Sequence, residues 1–247
     1  MTRALAKPDE RVDDLQRNGL FILQKPSAFC FGMDAVLLAD FARLRRGDRV
    51  ADLGTGTGIL PLLMSQNEPT ATFEAIELQP EMADMAARSV RMNGLDGRVC
   101  VRVLDLRRAA DELGEGGMDF VVCNPPYAKR GGAVPSETEA RLTSKHETEC
   151  DVDDIARAAS RLLRAKGRFA AVFPAQRLLE LCDALRRYGL EPKRVRMVCA
   201  RADKAPYLAL VEAAKGARPS LVWLPTLVTS LENGEMTNEV KRIYHLA

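Results

Sequence analysis

Between Arg49 and Ser65 the chain passes through three kinds of sequence in a fixed order. Arg49-Val-Ala-Asp-Leu53 is short and mostly apolar, and reads as a strand. Gly54-Thr-Gly-Thr-Gly58 places glycine at every second position. Ile59-Leu-Pro-Leu-Leu-Met-Ser65 then reads as a helix with Pro61 in its first turn. A strand that turns through glycines directly into a helix belongs to an α/β layer. Glycines let a backbone approach a ligand closely, and a helix N-terminus offers free N–H groups. The segment therefore constrains both the fold class and the place where a nucleotide can bind.

The same alternation continues down the chain. Strands are expected at 20–23, 71–76, 98–104, 118–123 and 168–173, with helices at 34–42, 80–93, from Asp151 to about 166, and 176–187. Asp34 and Asp151 are placed as N-caps, and Pro80 opens its helix. Two strands near 192–200 and 206–213 lie too close for a crossover helix and should pair antiparallel. Residues 1–19 are polar and read as a loose start; a short helix is expected near 236–244. The domain reading is an N-terminal extension over 1–47 that covers the ligand, a core over 48–213, and a tail over 214–247 packed on it.

Alternating strands and helices predict a mostly parallel sheet covered on both faces, with ligands at the carboxyl ends of its strands. Gly54, Glu77, Asp105 and Asn124 each close a different strand at that end. Four separate loops thus converge on one edge.

Composition removes several alternatives. The 247 residues are 47% hydrophobic and 28% charged with net charge +2, as expected of a globular chain with no partner implied by its total charge. None of the six cysteines forms a CxxC pair and there are two histidines, so no metal site is expected. With no leader pattern and no long apolar run, the expected compartment is reducing cytoplasm, without a membrane partner. A monomer is the default expectation.

The glycine spacing distinguishes among nucleotides. A dinucleotide fingerprint needs a sixth-position glycine, where this chain has Ile59. Asp52 stands two residues before the first glycine, a D-x-G-x-G-x-G pattern suited to an adenosine without a pyrophosphate. Glu77 is placed to accept from ribose hydroxyls, Asp105 from the adenine amino group, and Asp52 from the amino-acid end. These roles describe S-adenosylmethionine, with Thr55, Leu78 and Leu106 beside them; the competing reading is that strand-ending carboxylates cap the next helix.

Asn124-Pro-Pro-Tyr127 follows the apolar strand end Val121-Val-Cys123. Pro125 and Pro126 fix their own φ and hold the preceding residues extended. A rigid turn carrying an amide and a ring suits a flat molecule with an NH₂ group; the plainer reading is a Pro-Pro turn whose Tyr caps the core. The Asn124 side-chain oxygen and the Pro125 carbonyl would accept from two N–H groups. Tyr127 would stack on the base, a contact worth about 1–3 kcal/mol.

Asp52–Gly58, Glu77, Asp105 and Asn124–Tyr127 together resemble the class I S-adenosylmethionine-dependent methyltransferases of amino nitrogens. Leu23-Gln-Lys-Pro26, Phe31-Gly-Met-Asp34 through Ala39, and Pro192-Lys-Arg194 extend the resemblance to the bacterial tRNA adenine-N6 methyltransferases. It implies a Rossmann-like, seven-stranded sheet with an antiparallel last strand, S-adenosylmethionine as cofactor, and an adenine beside the anticodon of a valine tRNA as target. It also implies that Phe31 and Asp34 help cover the cofactor. Guanine N2 of ribosomal RNA and a protein glutamine amide remain as alternative targets. Residues 183–204 carry seven Lys/Arg against three acids, which makes Lys193, Arg194 and Arg196 candidate phosphate contacts; the alternative is a solvated face. Lys129 and Arg130, just past the Tyr, are candidates for closing over RNA.

Overall fold

The computed structural model describes residues 5–27, 30–125 and 150–246. An antiparallel hairpin comes first: β1 (Arg11–Asp14) pairs with β2 (Phe21–Gln24). The loose start expected over 1–19 is therefore corrected. The sequence of β1, Arg-Val-Asp-Asp, carries no readable alternation; its partner strand and a buried ion pair hold it. Glu10, beside β1, accepts from both terminal nitrogens of Arg88 at 2.6 Å, with side chains only 3% and 8% exposed.

Helix α1 (Met33–Phe41) follows. Its N-cap is Gly32, not Asp34, which lies in the first turn and accepts from the Ala35 N–H at 2.8 Å. The next elements are β3 (Arg49–Leu53), α2 (Ile59–Asn67), β4 (Thr72–Glu77), α3 (Pro80–Met92), β5 (Val99–Val103), α4 (Ala109–Leu113) and β6 (Met118–Cys123). Beyond the undescribed stretch come α5 (Val152–Leu162), β7 (Leu163–Pro174), α6 (Leu178–Arg187), β8 (Leu190–Cys199) and β9 (Leu208–Lys215). Strands β10 (Val222–Trp223) and β11 (Leu227–Val228) and helix α7 (Asn238–Ile243) end the fold.

Asp151 caps α5 as expected, in a reciprocal capping box with Asp154. The helix stops at Leu162 rather than near 166, because β7 begins at once and spans twelve residues. The register between β6 and β7 slips between Met118 and Phe120, so residues 164–167 bulge out. A charged run of this kind resembles a helix end in sequence; only pairing with β6 shows it to be strand.

The main sheet runs β10-β8-β9-β7-β6-β3-β4-β5, with β11 also on β8. Strands β3 to β9 are the seven expected, and β9 is antiparallel to both its neighbours, β7 and β8. The two extra strands are two residues each, too short to leave a pattern in sequence. Alternation sends Val50, Phe120, Val122, Ala170 and Val172 to one face, under α1 and α2. Ala51, Leu53, Val121, Phe169 and Ala171 go to the other, under α4, α5 and α6. Phe120, Phe169 and Phe173 are fully enclosed, and each such ring contributes about 1.5–3 kcal/mol by leaving water. Strand order reverses between β3 and β6, and in sheets of this kind the ligand crevice belongs at the carboxyl ends beside that switch point.

Candidate active site

The registers decide which loops meet at that crevice. Leu53 pairs with Ile76 on one side and with Cys123 on the other, and Glu77 pairs with Val103. Neighbouring strands lie about 4.8 Å apart, so Gly54, Glu77 and Asn124 stand side by side on the edge. Asp105 follows one strand further out, just beyond β5. The Cys123 thiol fastens the β6 end by donating to the Leu53 carbonyl at 3.2 Å.

The glycine turn is strapped to β4. The N–H groups of Gly54 and Thr55 both donate to the Ile76 carbonyl at 2.9 Å. The Gly56 N–H donates to Glu77 Oε2 at 2.9 Å, while Glu77 Oε1 accepts from the Gln79 N–H at 2.9 Å. Each carboxylate oxygen keeps a lone pair for a further donor. Gly58 is the N-cap of α2 with φ of 89°, and a Cβ there would lie 3.3 Å from the Cβ of Ala86. Both its conformation and the approach of α3 exclude a side chain. At Gly54, by contrast, an added Cβ would meet none of the described residues within 4 Å.

Asp52 is wholly buried at the floor of the turn. Among the described residues neither of its carboxylate oxygens has a hydrogen-bond partner, and nor does the buried Thr55 hydroxyl. Burial pushes the Asp52 carboxyl up to about 7, with the Glu77 charge reinforcing the shift and nearby Thr55 opposing it. A buried acid without partners is costly, and it marks a place where a polar or cationic ligand completes the structure. The unpartnered Asp52 and Thr55 and the spare acceptors of Glu77 fit S-adenosylmethionine, which carries two hydroxyls, an ammonium and a sulfonium.

Asp105 plays the part of the competing reading as well. Its Oδ1 accepts from the Arg107 N–H at 2.9 Å, capping the turn that follows, and the Arg107 guanidinium binds both its oxygens. The Arg107 hydrogen bonds hold the carboxyl below its ordinary range. Leu78 is partly exposed beside Glu77, and Leu106 is half-buried in the second core cluster. Asn124 is half-buried and Pro125 buried. Pro126, Tyr127, Lys129 and Arg130 lie outside the described residues.

The remaining candidates are placed elsewhere. Phe31 lines a cavity of about 150 Å³ with Arg17, Val36, Leu63 and Tyr244, between the first hairpin, α1, α2 and α7. Asp34 begins α1 nearby. The guanidinium groups of Arg194 and Arg196 are already engaged. Arg194 binds Glu212 at 2.8 Å and lies 4.8 Å over the Phe41 ring; Arg196 binds Glu239 at 2.6 Å and the Pro225 carbonyl. A phosphate at either position would share the guanidinium with the carboxylate already bound there. Lys193 donates to the Arg218 carbonyl at 3.0 Å and makes no ion pair among the described residues.

Sequence reasoning missed Tyr207. It is 40% exposed at the carboxyl edge, where β9 starts opposite Pro174 of β7, two strands from Asn124. The available signal was an aromatic residue immediately before a strand, after Ala205-Pro206.

Comparison with known proteins agrees with this geometry. The family model described as the methyltransferase small domain matches residues 22–188. The tRNA1(Val) (adenine(37)-N6)-methyltransferase of Cronobacter sakazakii is 30% identical over 166 residues, 65% of this chain and 66% of the relative. The enzyme of that name from Parabacteroides distasonis is 28% identical over 212 residues, covering 85% of this chain and 83% of its own. Among solved structures, a predicted O-methyltransferase from Agrobacterium tumefaciens superposes with a TM-score of 0.70 at 23% identity, over 86% of this chain and 96% of the other. TrmN from Thermus thermophilus gives 0.51 at 23% identity, over 73% and 48%. These structural likenesses bear on the fold.

Proposed function

The chain belongs to the methyltransferase small domain family, and from that premise we propose that it methylates the N6 amine of an adenine in tRNA, with S-adenosylmethionine as the methyl donor. The observation that carries the proposal is the register of β3, β4 and β6. It puts the glycine turn, Glu77 and Asn124 on one line at the switch point. The tRNA target is supported by the names of relatives that match over 65–85% of the chain. The adenine beside the anticodon of a valine tRNA is the specific target those names suggest.

Asp52, Gly54, Thr55, Gly56, Gly58, Glu77, Leu78, Asp105 and Leu106 would hold the cofactor, which when bound supplies an electrophilic methyl group. Asn124 and Pro125 would act on the substrate. An exocyclic adenine amine shares its lone pair with the ring and is a weak nucleophile. Acceptance of its two N–H groups by the Asn124 side-chain oxygen and the Pro125 carbonyl favours a pyramidal nitrogen and aims the lone pair at the methyl. This is catalysis by positioning, which supplies a large share of the rate in such displacements. Tyr127 would provide the stacking surface. A target base would have to be unpaired or flipped to reach the edge.

Replacing Asn124 by Ala tests the assignment. Methyl transfer to unmodified tRNA should fall by at least a hundredfold, while calorimetric binding of S-adenosylmethionine stays within a few-fold. Near-normal turnover would remove Asn124 from the role given to it.

A further inference from the structure

The charge of this molecule is divided between the two edges of its sheet. Asp52, Glu77 and Asp105 lie at the carboxyl edge, where the target base must enter, with Arg107 paired, among the described residues, to Asp105 alone. Carboxylates that suit a cationic ligand repel phosphates, so they cannot supply the electrostatic affinity that RNA binding requires.

The opposite edge has the complementary character. Arg43, Arg45 and Arg46 occupy the loop between α1 and β3, Arg49 begins β3, and Lys166 tips the bulge at the start of β7. All five are exposed, and none has a carboxylate within ion-pair distance among the described residues. The acids of this edge are already committed: Asp48 binds Arg168 at 3.0 Å, and Asp119 binds Arg164. Glu68 lies close enough to Arg46, and Asp40 to Arg43, for the charges to influence one another. Lys193 reaches the same edge from the start of β8.

The edge also has a concave part. A cavity of about 190 Å³ opens over the starts of β3, β4 and β5, with Arg49 and Arg98 in its lining. Among the described residues Arg98 donates to the carbonyls of Ser65 and Pro69. Glu74 and Asp96 also line it, but Glu74 is held by Arg102 at 2.6 Å.

We propose that this amino-terminal edge is a second RNA-binding surface, which holds the phosphate backbone of a folded RNA while the target base occupies the carboxyl edge. It rests on the tRNA reading for the identity of that RNA, not for the existence of the surface. The five residues of β3 span about 17 Å, so the two edges lie close enough for one folded RNA to contact both. The surface reads phosphates rather than bases, and so contributes affinity rather than sequence preference.

The test is the charge reversal Arg45→Glu/Arg46→Glu/Lys166→Glu. Fluorescence anisotropy with labelled, unmodified tRNA should show at least a tenfold loss of affinity. The slope of log affinity against log salt should become shallower by about 2–3, one counterion for each lost phosphate contact. Calorimetric binding of S-adenosylmethionine should be unchanged, which also reports intact folding. The conservative variant Arg45→Lys/Arg46→Lys/Lys166→Arg should restore tRNA binding.

Unchanged tRNA affinity would overturn the proposal. So would an equal loss from three charge reversals away from this edge, Arg11→Glu/Arg157→Glu/Arg242→Glu, since net charge alone would then explain the effect. Loss of polyglutamate binding with tRNA binding retained would assign the edge to an acidic protein instead. Absence of any adenine methylation, with the tRNA affinity still lost in the variant, would sink the tRNA-adenine reading and leave this surface standing.

Discussion

Asp52→Asn should make the ligand-free protein more stable at pH 8 while impairing cofactor binding. In the folded chain the Asp52 carboxyl is raised from 3.8 to about 7 by complete burial. The sign follows from linkage. Below pH 3.8 both folded and unfolded forms are protonated and the residue has no effect on the equilibrium. Between 3.8 and 7 the unfolded chain ionises while the folded chain stays neutral, so folding is progressively disfavoured, and above 7 the full cost applies. About three units at 1.36 kcal/mol each is about 4 kcal/mol. An Asn removes the ionisation but leaves a buried amide, which costs about 1–3 kcal/mol. The variant should therefore gain about 1–3 kcal/mol at pH 8 and lose stability at pH 4. Urea denaturation at the two pH values measures this. Calorimetry should show at least tenfold weaker S-adenosylmethionine binding, and in the wild type a proton released on binding near pH 6, read from two buffers of different ionisation enthalpy. A variant less stable than wild type at both pH values by the same amount would refute the argument that Asp52 is a strained, ligand-directed acid.

Three further outcomes are expected. Gly58→Ala should lower stability by about 1–3 kcal/mol in a thermal melt, because it puts a Cβ at φ 89° and within 3.3 Å of Ala86. Glu10→Ala should cost about 1.5–3 kcal/mol, since Arg88 loses its most buried partner but keeps Asp84 and the Leu5 carbonyl, and should expose the β1–β2 hairpin to limited proteolysis. Since Arg88 lowers the Glu10 carboxyl from 4.5, the contribution is present above that pH and fades as pH falls through the lowered value. Arg17 donates to His245 Nε2 at 2.7–3.0 Å, and burial with the Arg17 charge lowers that imidazole from 6.5. The attachment of the chain's end should therefore weaken on acidification below pH 6.5, seen as faster hydrogen exchange in α7 at pH 5.5 than at pH 7.5 after correction for intrinsic rates.

What was legible in the sequence, and what was not, divides by the range of the interactions. Gly54, Glu77 and Asn124 could be placed on one edge because each ends an apolar run, and strand ends in a parallel sheet share an edge whatever the side chains do. Asp151 announced its helix by local capping chemistry. Strands β1, β10 and β11 could not be seen, since a polar tetrapeptide and two dipeptides become strands only through their partners. Arg194 and Arg196 looked like a basic patch because Glu212 and Glu239, which neutralise them, are 18 and 43 residues away. The bulge at 164–167 was hidden for the same reason: it exists in the register with β6. The basic amino-terminal edge needed the fold as well, since Arg46 and Lys166 are 120 positions apart and share an edge only because β3 and β7 flank β6.

The central claim is the identity of the methylated atom. Purified protein incubated with unmodified valine tRNA and isotopically labelled S-adenosylmethionine, followed by nuclease digestion and mass spectrometry of the nucleosides, tests it directly. The account predicts label in N6-methyladenosine, and none when Asn124 is replaced by Ala. Label in N2-methylguanosine, label in protein glutamine when release factor is supplied instead, or no transfer at all from a protein that binds the cofactor would contradict it.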